Sequence, residues 1–298
     1  MKIVLRIPVV LFTASLLLQS CASTPLPPPT PTRMDTPTPT PTMQTSTPEP
    51  PTLTPAPSDT PLPQPTPLDT PTPNPLRRTP ATLMLHRRNA QFDSVQFLKD
   101  MIAILKQNEM EVVTYRRLVK KPDLTIAKQG KLFIITIDDI YLRYPIDPGV
   151  LEMINLLVDA GYPAVLGVVT ESDSAFPETV ETLRKLQDLG WEIASHSDTH
   201  RNLAQVEKIA PKSIYPEIKT SLDKLEKALE IRPISLILPE GQMTWGDEQI
   251  KRSGVLWVIG INGGSQYDTR EPYRYVGREG PDGSAQNTFA IMFNRFNP

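Results

Sequence analysis

KLFIITIDDI, Lys131–Ile140, runs apolar and β-branched residues into two adjacent carboxylates. The run does not alternate with polar residues, so it predicts a central parallel strand covered on both faces rather than a half-exposed one. A strand of that kind ends in a core, where charge is costly unless it is paired or bound to a metal. Asp138 and Asp139 therefore need partners from elsewhere in the chain.

Working outward, strand and helix signals alternate at short spacing. Upstream, TLMLH (82–86) predicts a short buried strand. Asp93 or Ser94 then caps a helix carrying Phe97, Leu98, Met101, Ile102 and Leu105, and EVVTY (111–115) predicts another strand. Downstream, Pro148 opens and Gly161 closes a helix, PAVLGVVT (163–170) predicts a strand, and FPETVETLRKLQDLG (176–190) repeats the helix pattern. WEIAS (191–195) predicts a strand and 213–230 a helix lying mostly after Pro216. ISLIL (234–238), VLWVIGI (255–261) and TFAIMF (288–293) complete the strands. The pattern predicts a parallel α/β fold, barrel or open sheet, and both place functional residues at the C-terminal ends of strands. Asp138 and Asp139 stand at such an end.

The rest of the chain has a different character. About twenty of the 34 prolines lie between Pro25 and Pro80, in Thr-Pro repeats with almost nothing apolar to bury. Residues 21–80 are thus expected to form a disordered linker, extended at ~3.1 Å per residue where polyproline-like. Residues 81–298, roughly 200 in number, suffice for one well-buried core. At the N-terminus, Lys2 and Arg6 precede about twelve apolar residues, too few for a stable membrane span. LLLQSC follows, resembling a bacterial lipobox. Residues 1–20 then read as a lipoprotein signal and Cys21, the single cysteine, as the lipidated residue. Anchor, linker and domain would sit in the bacterial cell envelope, bound to a membrane and facing outside the cytoplasm. A net charge of −2 without a basic stripe argues against a nucleic-acid partner.

Two of the three histidines lie in WEIASHSDTH, where His196 follows a predicted strand and His200 comes four residues later. If a helical turn begins there, both imidazoles share one side, as chelation requires. Two imidazoles and one carboxylate would hold a divalent metal with open positions. The other carboxylate could take a proton from water.

These residues resemble the polysaccharide deacetylases (the NodB-homology domain, carbohydrate esterase family 4). TIDDI is similar to that family's TFDDG motif and HSDTH to its H-S/T-x-x-H motif. LMLHRR resembles its opening strand, and LILPEG its YPYG-type third motif. The resemblance implies a distorted (β/α) barrel that removes acetyl groups from N-acetylated glycans with a divalent metal, zinc being the expected ion. Carried over by position, Asp138 is the general base, and Asp139, His196 and His200 are the ligands. His86 matches the general-acid histidine of the branch acting on poly-N-acetylglucosamine. Backbone donors near Pro239 and Glu240 would meet the substrate, and Arg295 would orient Asp138.

Two positions depart from the family pattern: Ile140 stands where it has glycine, and Glu240 where it has tyrosine. Three readings stay open: a surface-anchored polysaccharide deacetylase, a glycan-binding lipoprotein without activity, and an amidase acting on a non-sugar amide.

Overall fold

The computed structural model describes residues 79–87, 92–120, 130–242, 247–261, 268–270 and 273–296. All of them fall within the unit Pro67–Pro298. The expected signal segment, Cys21 and most of the Thr-Pro linker lie outside the described residues.

The strands are β1 (Ala81–Leu85), β2 (Glu111–Val112), β3 (Leu132–Tyr141), β4 (Val165–Val169), β5 (Glu192–Ser195), β6 (Ser235–Ile237), β7 (Trp257–Ile259), β8 (Asp268–Arg270) and β9 (Tyr273–Val276). The helices are α1 (Ser94–Gln107), α2 (Tyr115–Lys120), α3 (Pro148–Ala160), α4 (Pro177–Asp188), α5 (Leu203–Ile209), α6 (Ile214–Leu229), α7 (Asp247–Ser253) and α8 (Ala285–Phe296). The sheet order is β1-β3-β4-β5-β6-β7-β9-β8, with β2 pairing the start of β3. Every pairing is parallel except β8 with β9. A parallel bridge between Leu83 and Glu279 brings the chain after β9 back to β1. The result is the distorted (β/α) barrel that the sequence implied.

β3 shows why the opening stretch lacks alternation: both of its faces are buried. Leu132 and Ile134 pack with Val165, Ala194, Ile237, Trp257 and Ile259 inside the sheet's curve. Phe133, Ile135 and Ile137 pack outward among residues of α1, α3 and α4. Each such side chain removed from water contributes about 1.5–3 kcal/mol. Along the inward row the chemistry changes with height, from Leu132 and Ile134 through Thr136 to Asp138.

The helix termini follow their sequence signals. Asp93 caps α1 by accepting from Gln96 N (3.2 Å). Asp147 caps α3 by accepting from Gly149 N (2.8 Å), and Gly161 ends it at φ 73°.

Two expectations fail. TFAIMF is helical, lying within α8. Ala285, Thr288, Phe289 and Met292 are buried at helical spacing, and Phe289 stacks on Phe133 with ring centroids 6.4 Å apart. Its β-prone residues are overridden by packing on α1 and β1. EVVTY pairs for only two residues before the chain turns into α2. The helix expected within 213–230 is present as α6 and lies mostly after Pro216, which sits in its first turn, where a missing N–H costs nothing.

Candidate active site

The two carboxylates share one site because β3 bulges between them. Ile137 pairs with Leu166 and Ile140 with Val168, so Asp138 and Asp139 together stand opposite the single residue Gly167. In a regular strand, neighbouring side chains point to opposite faces. Here Asp139 takes a left-handed backbone, φ 62°, and both carboxylates line one cavity of about 270 Å³. Ile140 then resumes the strand and joins Ile135 and Ile137 in the outer core. The glycine-like conformation thus falls on Asp139, and Ile140, which has no positive φ, has no need of a glycine backbone. Gly167 is required instead, since a Cβ there would lie 3.2 Å from Asp138 Oδ1 and 3.4 Å from its Cα.

His196 and His200 meet this bulge from the loop after β5. The loop is not helical: Ser197 and His200 take φ of 62° and 58°. Side chains fix it in place of a helix. Ser195 Oγ accepts from Ser197 N (3.2 Å), and Ser197 Oγ accepts from His200 N (3.0 Å). Asp198 accepts from Thr170 Oγ1 (2.8 Å) and from Lys224 Nζ (2.9 Å). The expected chelating pair forms, but by a route other than the predicted turn.

Asp139 Oδ1 lies 3.1 Å from His200 Nε2 and 3.4 Å from His196 Nε2. Donor atoms around one ion at 2.0–2.2 Å stand about 3.3–3.6 Å apart in tetrahedral geometry, so both Asp139 distances are near those of a metal site, and all three donor atoms lie within 4.8 Å of one another. Two further features fit. Asp139 Oδ1 is buried without a hydrogen-bond partner in the described structure. His196 Nδ1 is 2.9 Å from Ile237 O, so it carries the proton and donates, leaving Nε2 as a lone-pair donor toward the cluster. The electrostatics agree. Burial raises the Asp139 pKa, but the facing imidazoles of His196 and His200 hold it well below the usual carboxylate range. The Asp139 carboxylate in turn raises His200, against the effect of burial.

Asp138 is held differently. It is 1 % exposed, and the equally buried Arg278 donates from Nη1 to both of its oxygens at 2.8 Å. The same Nη1 reaches Thr136 Oγ1 (2.8 Å), and Nε donates to Gly260 O (3.1 Å). His86 Nε2 stands 3.8 Å from Asp138 Oδ2, with its side chain 42 % exposed toward the cavity. Among the described residues, the arginine that holds Asp138 is Arg278. Arg295 belongs to α8, and its side chain lies outside the described residues. Pro239 and Glu240 form a short 3-10 turn with Gly241 after β6, and Glu240 and Gly241 line the cavity. Gly241 has φ 61°, and a Cβ there would come within 2.5 Å of Ile261.

This geometry has relatives. Residues 125–252 match the family model described as polysaccharide deacetylase. IcaB from Ammonifex degensii has a similar structure at TM-score 0.59 and 17% identity, over 72% of this chain and 97% of that one. The Streptococcus pyogenes deacetylase PplD, solved with acetate, gives 0.57 and 17% over 74% and 98%. The de-N-acetylase of Aggregatibacter actinomycetemcomitans gives 0.54 and 17% over 71% and 98%. At these identities the likeness establishes the fold. No curated protein sequence matches the chain.

His86, Asp138, Asp139, His196, His200 and Glu240, all singled out in the sequence, line one cavity. Sequence reading misses Arg278, Gly167 and Asn202. The signal for Arg278 was a lone arginine in VGREG directly after YRYV, which is strand β9.

Proposed function

We propose that residues 81–298 form a metal-dependent hydrolase that removes N-acetyl groups from an extracellular or cell-wall polysaccharide. The observation that carries this is the division of labour between adjacent carboxylates. Asp139 faces two imidazole nitrogens, while Asp138 is locked by Arg278 one residue away.

Asp139, His196 and His200 would hold the ion, with zinc favoured by the N/O donor set. When bound, it supplies Lewis acidity that polarises an amide carbonyl and makes water more acidic. The chain's own groups do the rest. Asp138, kept in place by Arg278, accepts the proton of the attacking water. His86, whose Nε2 lies 3.8 Å from Asp138 Oδ2 at the cavity, gives a proton to the departing nitrogen. The C–N bond breaks, releasing acetate and a sugar amine. Pro239 has no N–H and Gly241 N donates to Leu238 O (2.9 Å), so in this turn the Glu240 N–H is the backbone donor left to meet the developing oxyanion.

The family match and the likeness to deacetylases in fold support an N-acetylated glycan as substrate. The lipobox-like LLLQSC and the Thr-Pro segment support anchoring through Cys21 at the cell envelope, outside the cytoplasm. Ile140 no longer favours a non-catalytic reading, because the bulge meets its backbone demand at Asp139. Acetate release from N-acetylated oligosaccharides, with and without chelator, tests the proposal. Release that chelation stops and added metal restores is the expected result. Stoichiometric metal without acetate from any such glycan would refute it.

A further inference from the structure

Glu240 is the one charged residue of the cavity that the reaction above does not use. It sits at φ 56°, ψ 11°, a backbone conformation that L-residues other than glycine adopt only at a cost. Its Oε2 accepts from Asn202 Nδ2 at 2.6 Å. Asn202 is itself fixed, since it is buried and its Oδ1 caps α5 by accepting from Gln205 N at 3.1 Å. The amide group is thereby oriented, with Nδ2 aimed at the carboxylate. Asn202 is the only hydrogen-bond partner of Glu240 among the described residues, and no cation pairs with it there. Arg278 cannot do so from Nη1 or Nε, which are taken by Asp138, Thr136 and Gly260. Glu240 is also outside the group of atoms that could share a metal with Asp139.

A pinned carboxylate with no ion pair within 4 Å among the described residues, beside a site proposed to release amines, is suited to a cation. We infer that Glu240 receives the ammonium of an already de-N-acetylated sugar next to the acetylated one being cut, so that the preferred substrate is a partly de-N-acetylated polymer. The inference rests on the deacetylase reading. It makes the enzyme act preferentially beside its own earlier products, since the first free amine would improve binding at the next position. A charge-assisted hydrogen bond of this kind changes affinity by roughly tenfold or more.

The test uses the full chain loaded with metal and two glucosamine tetramers, in both 1,4- and 1,6-linked series. One tetramer is fully N-acetylated and the other carries a single free amine. The wild type should show a kcat/KM about tenfold higher on the tetramer with the amine, and a higher salt concentration should shrink that ratio. In Glu240→Gln, at unchanged metal content, the ratio should fall to about one. A ratio that survives in Glu240→Gln, or is absent from the wild type, overturns the inference. So does loss of metal in Glu240→Gln, which would make Glu240 a ligand. If neither tetramer yields acetate, the deacetylase reading fails separately. Calorimetric binding of the two tetramers to wild type and Glu240→Gln then decides the inference by the same ratios.

Discussion

Arg278→Met removes the guanidinium while leaving an unbranched side chain to fill much of its space. Four hydrogen bonds go with it: two to Asp138, one to Thr136 Oγ1 and one to Gly260 O. The dominant loss is electrostatic. Asp138 is 1 % exposed and would keep a charge with only the half-exposed His86 nearby, at 3.8 Å, which costs about 3–5 kcal/mol. That is a large share of the ~5–15 kcal/mol that stabilises a domain, yet small enough for unfolding to be measured. Asp138→Asn alone strands the Arg278 cation and should cost about 2–3 kcal/mol, because an amide oxygen still accepts one bond. The double variant Arg278→Met/Asp138→Asn carries no buried charge at this position. It should therefore be more stable than the sum of the single effects by at least about 2 kcal/mol. Urea unfolding of the three single and double variants, followed by tryptophan fluorescence, supplies the cycle. If Arg278→Met cost less than about 1 kcal/mol, or if the two changes simply added, the pair would not anchor the base and the reasoning would be wrong.

Asp139→Asn should lose metal by at least about tenfold in affinity, whereas Asp138→Asn should keep metal and lose turnover; equal metal loss in both would show the roles are misassigned. Metal affinity should fall as the solution is acidified, because an incoming ion must displace the proton that Asp139 stabilises on His200. The fall should begin above the ordinary histidine value of ~6.5 and reach up to about one log unit per pH unit. Asp139, held below the carboxylate range, stays ionised throughout, so an affinity that is flat between pH 6 and 8 by calorimetry would contradict the ion pair. Gly167→Ala should lower kcat about tenfold at unchanged metal content and cost ~1–3 kcal/mol of stability, since its methyl presses on both Asp138 and Ile237. Full activity would mean the bulge has slack the distances do not show.

The fold was legible where burial and periodicity agree. β3 to β7 and α3, α4 and α6 announce themselves through apolar runs, Pro at helix starts and Gly at helix ends. β8 and β9 did not, since YRYV alternates weakly and its strand is only four residues long. α8 was misread because Thr288, Phe289 and Ile291 favour strands in isolation, and only packing against Phe133 shows the helical face. The site's charged and imidazole groups were legible because carboxylates and histidines after apolar strands are costly without a partner. Arg278 was not, since its strand went unread and its partner lies 140 residues away in sequence.

What sequence pattern could not convey at all was backbone hand. Among the described residues, six other than glycine have positive φ, and Asp139, Ser197, His200 and Glu240 are four of them. Each costs about 1 kcal/mol or more relative to an ordinary conformation. Four such residues around one cavity are therefore not incidental to packing, which would scatter them. Each does something a relaxed backbone would not. Asp139 turns its carboxylate onto the same side as Asp138, Ser197 and His200 fold a loop that brings two imidazoles to Asp139 without a helix, and Glu240 stands where Asn202 can hold it. Glycine would take any of these conformations at lower cost but would supply no ligand, base partner or recognition group. The strain is explained only if the side chains act together on something bound in the cavity. The proposed metal at Asp139, His196 and His200, with the proposed sugar amide and amine beside it, would meet that condition.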